Sequence, residues 1–145
     1  MTTPTPDSPA PNYRTGKICY VEIPAVDVSV SANFYQTVFG WSVRERGDGS
    51  TAFDDTTGTV SGAWVLGRPP STTSGVVVGI MVADAVATLH SIVAAGGGVV
   101  QPINPDETEV YALFRDPAGN VLSIYQQRGL AEQEAAIGAI SATER

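Results

Sequence analysis

Hydrophobic and polar residues alternate along eight short segments of the chain and follow a helical period in two others. Apolar residues three or four apart predict helices over about 28–39 and 85–95. Alternation predicts strands at about 17–24, 41–46, 50–54 and 60–66, and again at about 76–82, 98–103, 109–115 and 120–126. The order strand, helix, strand, strand, strand therefore occurs twice, over about residues 17–67 and 76–127.

The two halves carry the same boundary residues at matching places. Asp27 and Asp84 precede the helices as N-cap candidates, and Gly40 and Gly97 follow them where a left-handed residue is expected. Both pairs are 57 residues apart, whereas the Asp-x-x-Gly turns of the two halves are 61 residues apart. The difference predicts one longer loop in the second half.

This repeat resembles the vicinal oxygen chelate superfamily, also called the glyoxalase/bleomycin resistance/dioxygenase family. The matching segments are "IPAVDVSVSANFYQTVFGW" and "FRDPAGNVLSIYQ", and the resemblance covers about residues 17–127. It implies an α+β domain of two tandem βαβββ units, whose curved, partly closed mixed sheet surrounds a cavity. It does not specify an activity, because function depends on the site rather than on the fold.

Metal-using members of this family hold the ion with histidines and glutamates on the first and last strand of each unit. Carried over by position, these four places are Tyr20 and Gly62 in the first unit and Val77 and Ser123 in the second. None supplies the imidazole or carboxylate that a divalent metal needs. The only histidine, His90, falls within the second helix and is expected at its surface. The chain thus resembles a member without the usual ligands, and we expect neither a metal nor another cofactor.

Side chains two apart on a strand share a face, and in the resembled family the strand before Asp-Pro also lines the cavity. The predicted ligand-binding wall is Tyr20, Glu22, Tyr111, Leu113, Arg115, Ser123 and Tyr125, with Phe53 and Trp64 as further candidates. An aromatic and apolar wall with a few polar groups is typical of a small-molecule pocket.

Glu22 is the candidate catalytic residue. A carboxylate within the apolar segment "CYVEIPAV" must be paired, exposed or functional. Three interpretations stay open: a salt bridge to Arg115 or Arg44, a role in ligand binding or as a general base, and exposure at a sheet edge. If the role is functional, Glu22→Gln is expected to keep the fold while weakening binding or turnover.

Composition narrows the possible partners and location. The net charge of −7 argues against nucleic acid or an anionic membrane as a partner. Residues 1–16 are rich in proline, lack a signal-peptide pattern and are expected to be a disordered leader, which favours a cytoplasmic location. The single cysteine, Cys19, excludes an internal disulfide and is expected to be buried, and Trp41 is expected to pack on a helix. The tail over residues 128–145 can form a helix, which Gly138 weakens.

Two functions remain open from the sequence. One is a metal-independent module that binds a small, partly aromatic molecule in the cavity. The other is an enzyme of lyase, isomerase or dioxygenase type that uses Glu22 with tyrosines, or a metal held in an unanticipated way. A subunit that binds a partner protein is a third possibility. A homodimer is expected, since related folds often pair sheets from two chains and two-fold pairs are the commonest oligomers.

Overall fold

The computed structural model describes residues 13–72 and 75–143, with side chains of the last helix described as far as residue 138. Most of the predicted leader therefore lies outside the described residues. The described part consists of two four-stranded mixed sheets and three helices.

Every predicted element is present, and the strands are shorter at their ends than predicted. Unit 1 contains β1 Tyr20–Pro24, α1 Val28–Phe39, β2 Ser42–Glu45, β3 Thr51–Asp54 and β4 Ser61–Val65. Unit 2 contains β5 Gly79–Val82, α2 Ala85–Ala94, β6 Gly98–Gln101, β7 Tyr111–Arg115 and β8 Val121–Gln126, and the tail forms α3 Leu130–Thr143. The longer loop predicted for the second half is the segment 102–110 between β6 and β7.

Each unit forms its own sheet, with strand orders β1-β4-β3-β2 and β5-β8-β7-β6. The first and last strand of each unit pair in parallel and the other neighbours are antiparallel. The expected βαβββ repeat is confirmed, and its strands form two open sheets.

Aspartates cap the helix of each unit, α1 and α2, as predicted. The Asp27 carboxylate accepts hydrogen bonds from the backbone N–H groups of Ser29 and Val30, at 3.0 and 3.3 Å. The Asp84 carboxylate accepts one from Ala87 at 3.0 Å. These carboxylates satisfy backbone donors that have no partner within the helix.

The glycine that ends α2 differs from the prediction by one residue. Gly40 is left-handed after α1, with φ 72°, but after α2 the left-handed residue is Gly96, with φ 99°. Gly97 serves close packing instead, because a Cβ there would lie 2.6 Å from the carbonyl oxygen of Arg115 and 2.8 Å from a methyl carbon of Ile92.

The core lies where the helices cover one side of each sheet. Tyr35 of α1 stacks on Trp41 at a centroid distance of 4.6 Å, and Trp41 stacks on Phe53 at 4.5 Å. Phe34 of α1 also approaches Phe114 of unit 2 at 6.2 Å. Trp41 therefore packs on a helix as predicted, and α1 contributes to the core of both units.

A buried polar cluster joins the two units at the Asp-Pro-x-Gly-Asn segment. Asp116 and Asn120 are 2% and 1% exposed, and the Asp116 carboxylate accepts hydrogen bonds from the Tyr35 hydroxyl and the Asn120 amide, both at 2.8 Å. The Asn120 amide also donates to the Pro24 carbonyl at 2.7 Å, and its oxygen accepts the Ser71 N–H at 2.8 Å. The cluster thus connects α1, β1, the inter-unit segment and the β7–β8 turn.

Because of Tyr35, the free energy of unfolding is expected to depend on pH in the alkaline range. Burial, followed by the charge of Asp116 and its hydrogen bond, raises the pKa of Tyr35 well above its ordinary value. In the unfolded chain the phenol ionises near pH 10, so the stabilisation from the neutral phenol is complete below about pH 10 and is lost as pH rises further. We expect the wild-type denaturation midpoint to fall more steeply above pH 10 than that of Tyr35→Phe. Equal slopes for the two proteins would contradict this assignment.

Candidate ligand-binding site

The seven predicted site residues all lie on the open sides of the sheets, away from the helices. On unit 1, Tyr20 and Glu22 alternate with Val21 and with the buried Ile23, which belongs to the core. On unit 2, the remaining five share one side through the register of β7 and β8: Tyr111, Leu113 and Arg115 lie opposite Tyr125, Ser123 and Val121. The predicted residues of each unit therefore share one side of their sheet, but the two groups belong to separate sheets.

The partner of Glu22 differs from both predicted arginines. Glu22 pairs with Arg68, which follows β4, at 3.1 Å. The two side chains are 43% and 50% exposed, so the pair contributes little to stability. Beside it, Arg46 donates to the Tyr20 hydroxyl at 2.6 Å and lies 5.2 Å from the ring centroid. Glu22 is thus both paired and exposed, and its part in binding stays a prediction.

Arg44 also has a different partner from the one predicted. It donates to Asp54 at 2.9 Å, and the Ser61 hydroxyl donates to the same carboxylate at 2.5 Å. These two hydrogen bonds, with Arg44 the larger effect, lower the pKa of Asp54 below its ordinary value. The open side of unit 1 is therefore a surface of paired charges.

The open side of unit 2 is aromatic and apolar by contrast. Met81 is 59% exposed and Tyr111 is 38% exposed, and Leu113 and Tyr125 are half-buried on the same side. A hydrogen bond to Glu109, together with its charge, raises the pKa of Tyr125. An exposed apolar sheet face of this kind is typical of an interaction surface.

The predicted counterpart of Ser123 in unit 1, Gly62, is one residue too early in the sequence. The unit 1 turn closes with the Asp55 N–H bonded to the carbonyl of Val60, whereas the unit 2 turn closes from Asp116 to Asn120. The extra residue in unit 1 makes Ala63, not Gly62, the counterpart of Ser123.

Gly62 lies on the helix-facing side, and the reason for a glycine there is steric. A Cβ at this position would collide with the carbonyl oxygen of Val21 and with the ring of Phe53. The corrected set is Tyr20, Ala63, Val77 and Ser123, which does not fit a divalent metal ion. Among residues 13–72 and 75–143, no three His, Cys, Asp or Glu side chains are grouped to hold one.

A cavity of about 450 Å³ lies between the two units, and its strand residues come from the helix-facing sides except Gly79 and Met81, which lie on the open side of β5. Its aliphatic walls come from repeat-equivalent positions of the first strands, Val21 and Ile23 from unit 1 and Val78 and Ile80 from unit 2. Further lining residues are Phe39, Trp41, Phe53, Asp55, Thr56, Thr57, Val60, Gly79, Met81, Leu130 and Glu134. We call this space the inter-unit cavity.

None of the seven predicted residues lines the inter-unit cavity. Glu22 borders a smaller cavity of about 80 Å³, and of the two further candidates Phe53 lines the larger one while Trp64 packs in the core. The alternation in "YVEI" did contain the signal, because Val21 and Ile23 are its apolar set and recur as Val78 and Ile80 57 residues later.

Three polar lining residues, Asp55, Thr56 and Thr57, are held in place by the β3–β4 turn. One oxygen of Asp55 accepts the N–H groups of Thr59 and Val60, at 2.9 and 3.2 Å. The Thr56 hydroxyl donates to the carbonyl of Phe39 at 2.7 Å, which fixes the turn against the end of α1. These residues therefore present a fixed polar edge to an otherwise apolar space.

Cys19 and His90 lie away from the cavity lining. Cys19 is exposed rather than buried, and it directly precedes β1. His90 is exposed on α2, as predicted.

These features define an α+β protein with two βαβββ units and a preformed cavity between them. The sequence model described as "Glyoxalase/Bleomycin resistance protein/Dioxygenase superfamily" matches residues 17–124, and the chain belongs to this family.

Solved structures agree with this assignment at the level of the fold. A glyoxalase/bleomycin resistance protein/dioxygenase family enzyme from Burkholderia phytofirmans PsJN is 21% identical, with TM-score 0.61, covering 74% of this chain and 95% of that chain. A glyoxalase/bleomycin resistance protein from Albidiferax ferrireducens T118 is 17% identical, with TM-score 0.61 and coverages of 76% and 98%. A glyoxalase-related enzyme from Fulvimarina pelagi is 18% identical, with TM-score 0.63 and coverages of 77% and 88%.

No curated protein matches the chain. In the part of the chain that the structure describes, no helix has the length and apolar run needed to cross a membrane.

Proposed function

We propose that this protein binds a small, partly aromatic molecule in the inter-unit cavity without a metal ion. The observation that supports this most directly is the cavity itself. Its volume of about 450 Å³ falls within the range of small-molecule sites, roughly 300–1,000 Å³. Aromatic and aliphatic walls with a few polar groups match the usual composition of such sites.

Binding is favoured over catalysis by where the candidate chemical groups lie. Glu22, the only residue predicted to act in catalysis, is exposed and paired with Arg68. The polar groups on the inter-unit cavity are a turn aspartate, two threonines and a glutamate of α3. A cytoplasmic location, favoured by the composition, belongs to the same proposal, and cell fractionation that recovered the protein elsewhere would contradict it.

A thermal-shift screen on metal-free protein tests the binding proposal. A ligand that binds only the folded chain raises the unfolding temperature by mass action, by roughly 2.7 kcal/mol of stability at 100 times its Kd. We expect aromatic molecules small enough for the cavity to produce concentration-dependent shifts. Shifts that persist unchanged in a variant with the cavity filled would show that binding occurs elsewhere.

Purified protein is expected to contain no stoichiometric metal. The reason is the chemistry of Tyr20, Ala63, Val77 and Ser123, which offer no imidazole or carboxylate at the places where the family binds its ion. Elemental analysis after purification without chelators measures this directly. About one equivalent of nickel, zinc, iron or manganese per chain would overturn the metal-independent proposal.

We also propose a homodimer that covers the open side of unit 2. Met81, Tyr111, Leu113 and Tyr125 form an apolar surface there, and a two-fold pair of identical chains would remove it from water. Sedimentation at micromolar concentration is expected to show a dimer for the wild type and a monomer for Leu113→Arg. The matched control is Val86→Arg on the exposed side of α2, which is expected to remain dimeric. A monomeric wild type would refute the pairing.

A further inference from the structure

We propose that the inter-unit cavity takes a hydrophobic cation: an aromatic or aliphatic body that carries a protonated amine or a quaternary ammonium group. This inference rests on the proposed binding function and names the chemical class of its ligand. It follows from the signs of charge around the cavity, from the free acceptor capacity of its carboxylates, and from its carbon walls.

The charged side chains of the cavity lining all have the same sign. Asp55 and Glu134 line the cavity, and among the described lining residues there is no Lys, Arg or His. Carboxylates are negatively charged at neutral pH, so an anionic ligand would meet repulsion without a compensating partner. The net charge of −7 extends this preference beyond the cavity, because a negative field raises the local concentration of cations.

Both carboxylates keep capacity for a further donor. Glu134 is exposed on α3 and makes no hydrogen bond or ion pair with any residue in the described part of the chain. In Asp55 one oxygen accepts two backbone N–H groups, while the other has only a 3.3 Å contact with the Thr57 hydroxyl. An ammonium group offers donors without acceptors, which is what these oxygens can use.

The rest of the lining suits the hydrocarbon part of such a ligand. Trp41 and Phe53 are 7% and 1% exposed, and they stack on each other at 4.5 Å, so their rings are fixed before a ligand arrives. Val21, Ile23 and Ile80 complete a wall without side-chain hydrogen-bond donors. An apolar body gains from contact with this wall while its charged end stays at the exposed edge near α3.

Three probes with one skeleton test the class of ligand. Phenylbutylamine, phenylbutanol and phenylbutyrate carry a positive, a neutral and a negative end on the same aromatic chain. In ligand-observed NMR titrations of the full chain at low salt, we expect the amine to bind about tenfold more tightly than the butyrate, with the alcohol between them. Added salt should weaken the binding of the amine and leave the affinity for the alcohol unchanged.

Two variants locate the charge effect. Glu134→Gln is expected to weaken the binding of phenylbutylamine by about threefold, in the range of an exposed ion pair. The affinity for phenylbutanol should not change. Glu132→Gln is the matched control, since it lies on the same helix but not on the cavity, and it should change neither probe.

The outcomes separate the two proposals. If all three probes bind with equal affinity, or the butyrate binds most tightly, the cation inference is wrong and the binding function stands. If Glu134→Gln and Glu132→Gln weaken the binding of the amine equally, the effect comes from the net negative charge of the protein. The inference that the cation binds in the inter-unit cavity is then wrong. If no probe binds, the proposed function is contradicted and the inference falls with it.

Discussion

Asn120→Ala is expected to lower the free energy of unfolding by roughly 3 kcal/mol, a fall in unfolding temperature of about 10 °C for a chain of this size. The substitution removes the amide that bonds to Pro24, Asp116 and Ser71 at 2.7–2.8 Å. Because Asn120 is only 1% exposed, water cannot readily replace these bonds, and the partner groups are left unsatisfied. Both units contribute groups to this cluster, so their packing should weaken together.

The control is the same substitution at a surface asparagine. Asn104 is exposed, and its side chain accepts the Asp106 N–H at 3.0 Å in a turn. Asn104→Ala is expected to lower the free energy of unfolding by less than about 1 kcal/mol. Urea denaturation of both variants measures the difference, and equal losses would show that the buried cluster does not hold the units together.

Local pattern was sufficient to predict the elements of this fold. Strand and helix periods differ, so alternation around Glu22 and the helical spacing after Asp27 separated β1 from α1. The Asp caps and Gly40 marked helix ends because backbone groups there need a partner or a left-handed residue. These are interactions between residues close in sequence, which a single sequence records.

Features that depend on distant residues were predicted less well. One extra residue in the Asp55 turn shifts the alignment of the repeat, so Gly62 was given the place that belongs to Ala63. Glu22 pairs with Arg68 because Arg68 lies in the loop after β4, the strand paired with β1, and that neighbourhood is not visible in the sequence. Each of these errors comes from loop geometry rather than from the strands themselves.

The inter-unit cavity is not the one that the family resemblance implies, because the resemblance predicts a wall on the open side of each sheet. Tyr20 and Ser123 correspond to ligand positions of metal-using relatives, and their neighbours on the same side were predicted as the wall. The inter-unit cavity is lined mainly from the other side of the strands, by Val21, Ile23 and Ile80, and by residues of α1 and α3. Which side of a strand borders free space depends on residues far away in the sequence, such as Leu130 and Glu134 of α3, which the pattern of one strand does not specify.

Val78→Trp is expected to reduce small-molecule affinity at least tenfold, a loss of about 1.4 kcal/mol or more. Val78 lines the inter-unit cavity at its unit 2 wall and is 37% exposed, so the larger side chain can occupy the cavity without entering the close-packed core. Its backbone carbonyl, which accepts the Ser123 N–H at 3.0 Å, is unchanged by the substitution. The variant should therefore keep the sheet and lose the binding space.

The matched control is Val86→Trp. Val86 lies on α2, is 58% exposed and is absent from the cavity lining. It receives the same added side chain at the surface, so it reports any general effect of a new tryptophan on stability or on probe adsorption.

Binding in the inter-unit cavity is therefore tested by a titration of the wild type, Val78→Trp and Val86→Trp with phenylbutylamine, with each protein first shown to be folded by circular dichroism. The prediction is saturable binding to the wild type and to Val86→Trp, and affinity at least tenfold weaker for Val78→Trp. Equal affinity for all three proteins would contradict it, because the ligand would then bind outside the inter-unit cavity.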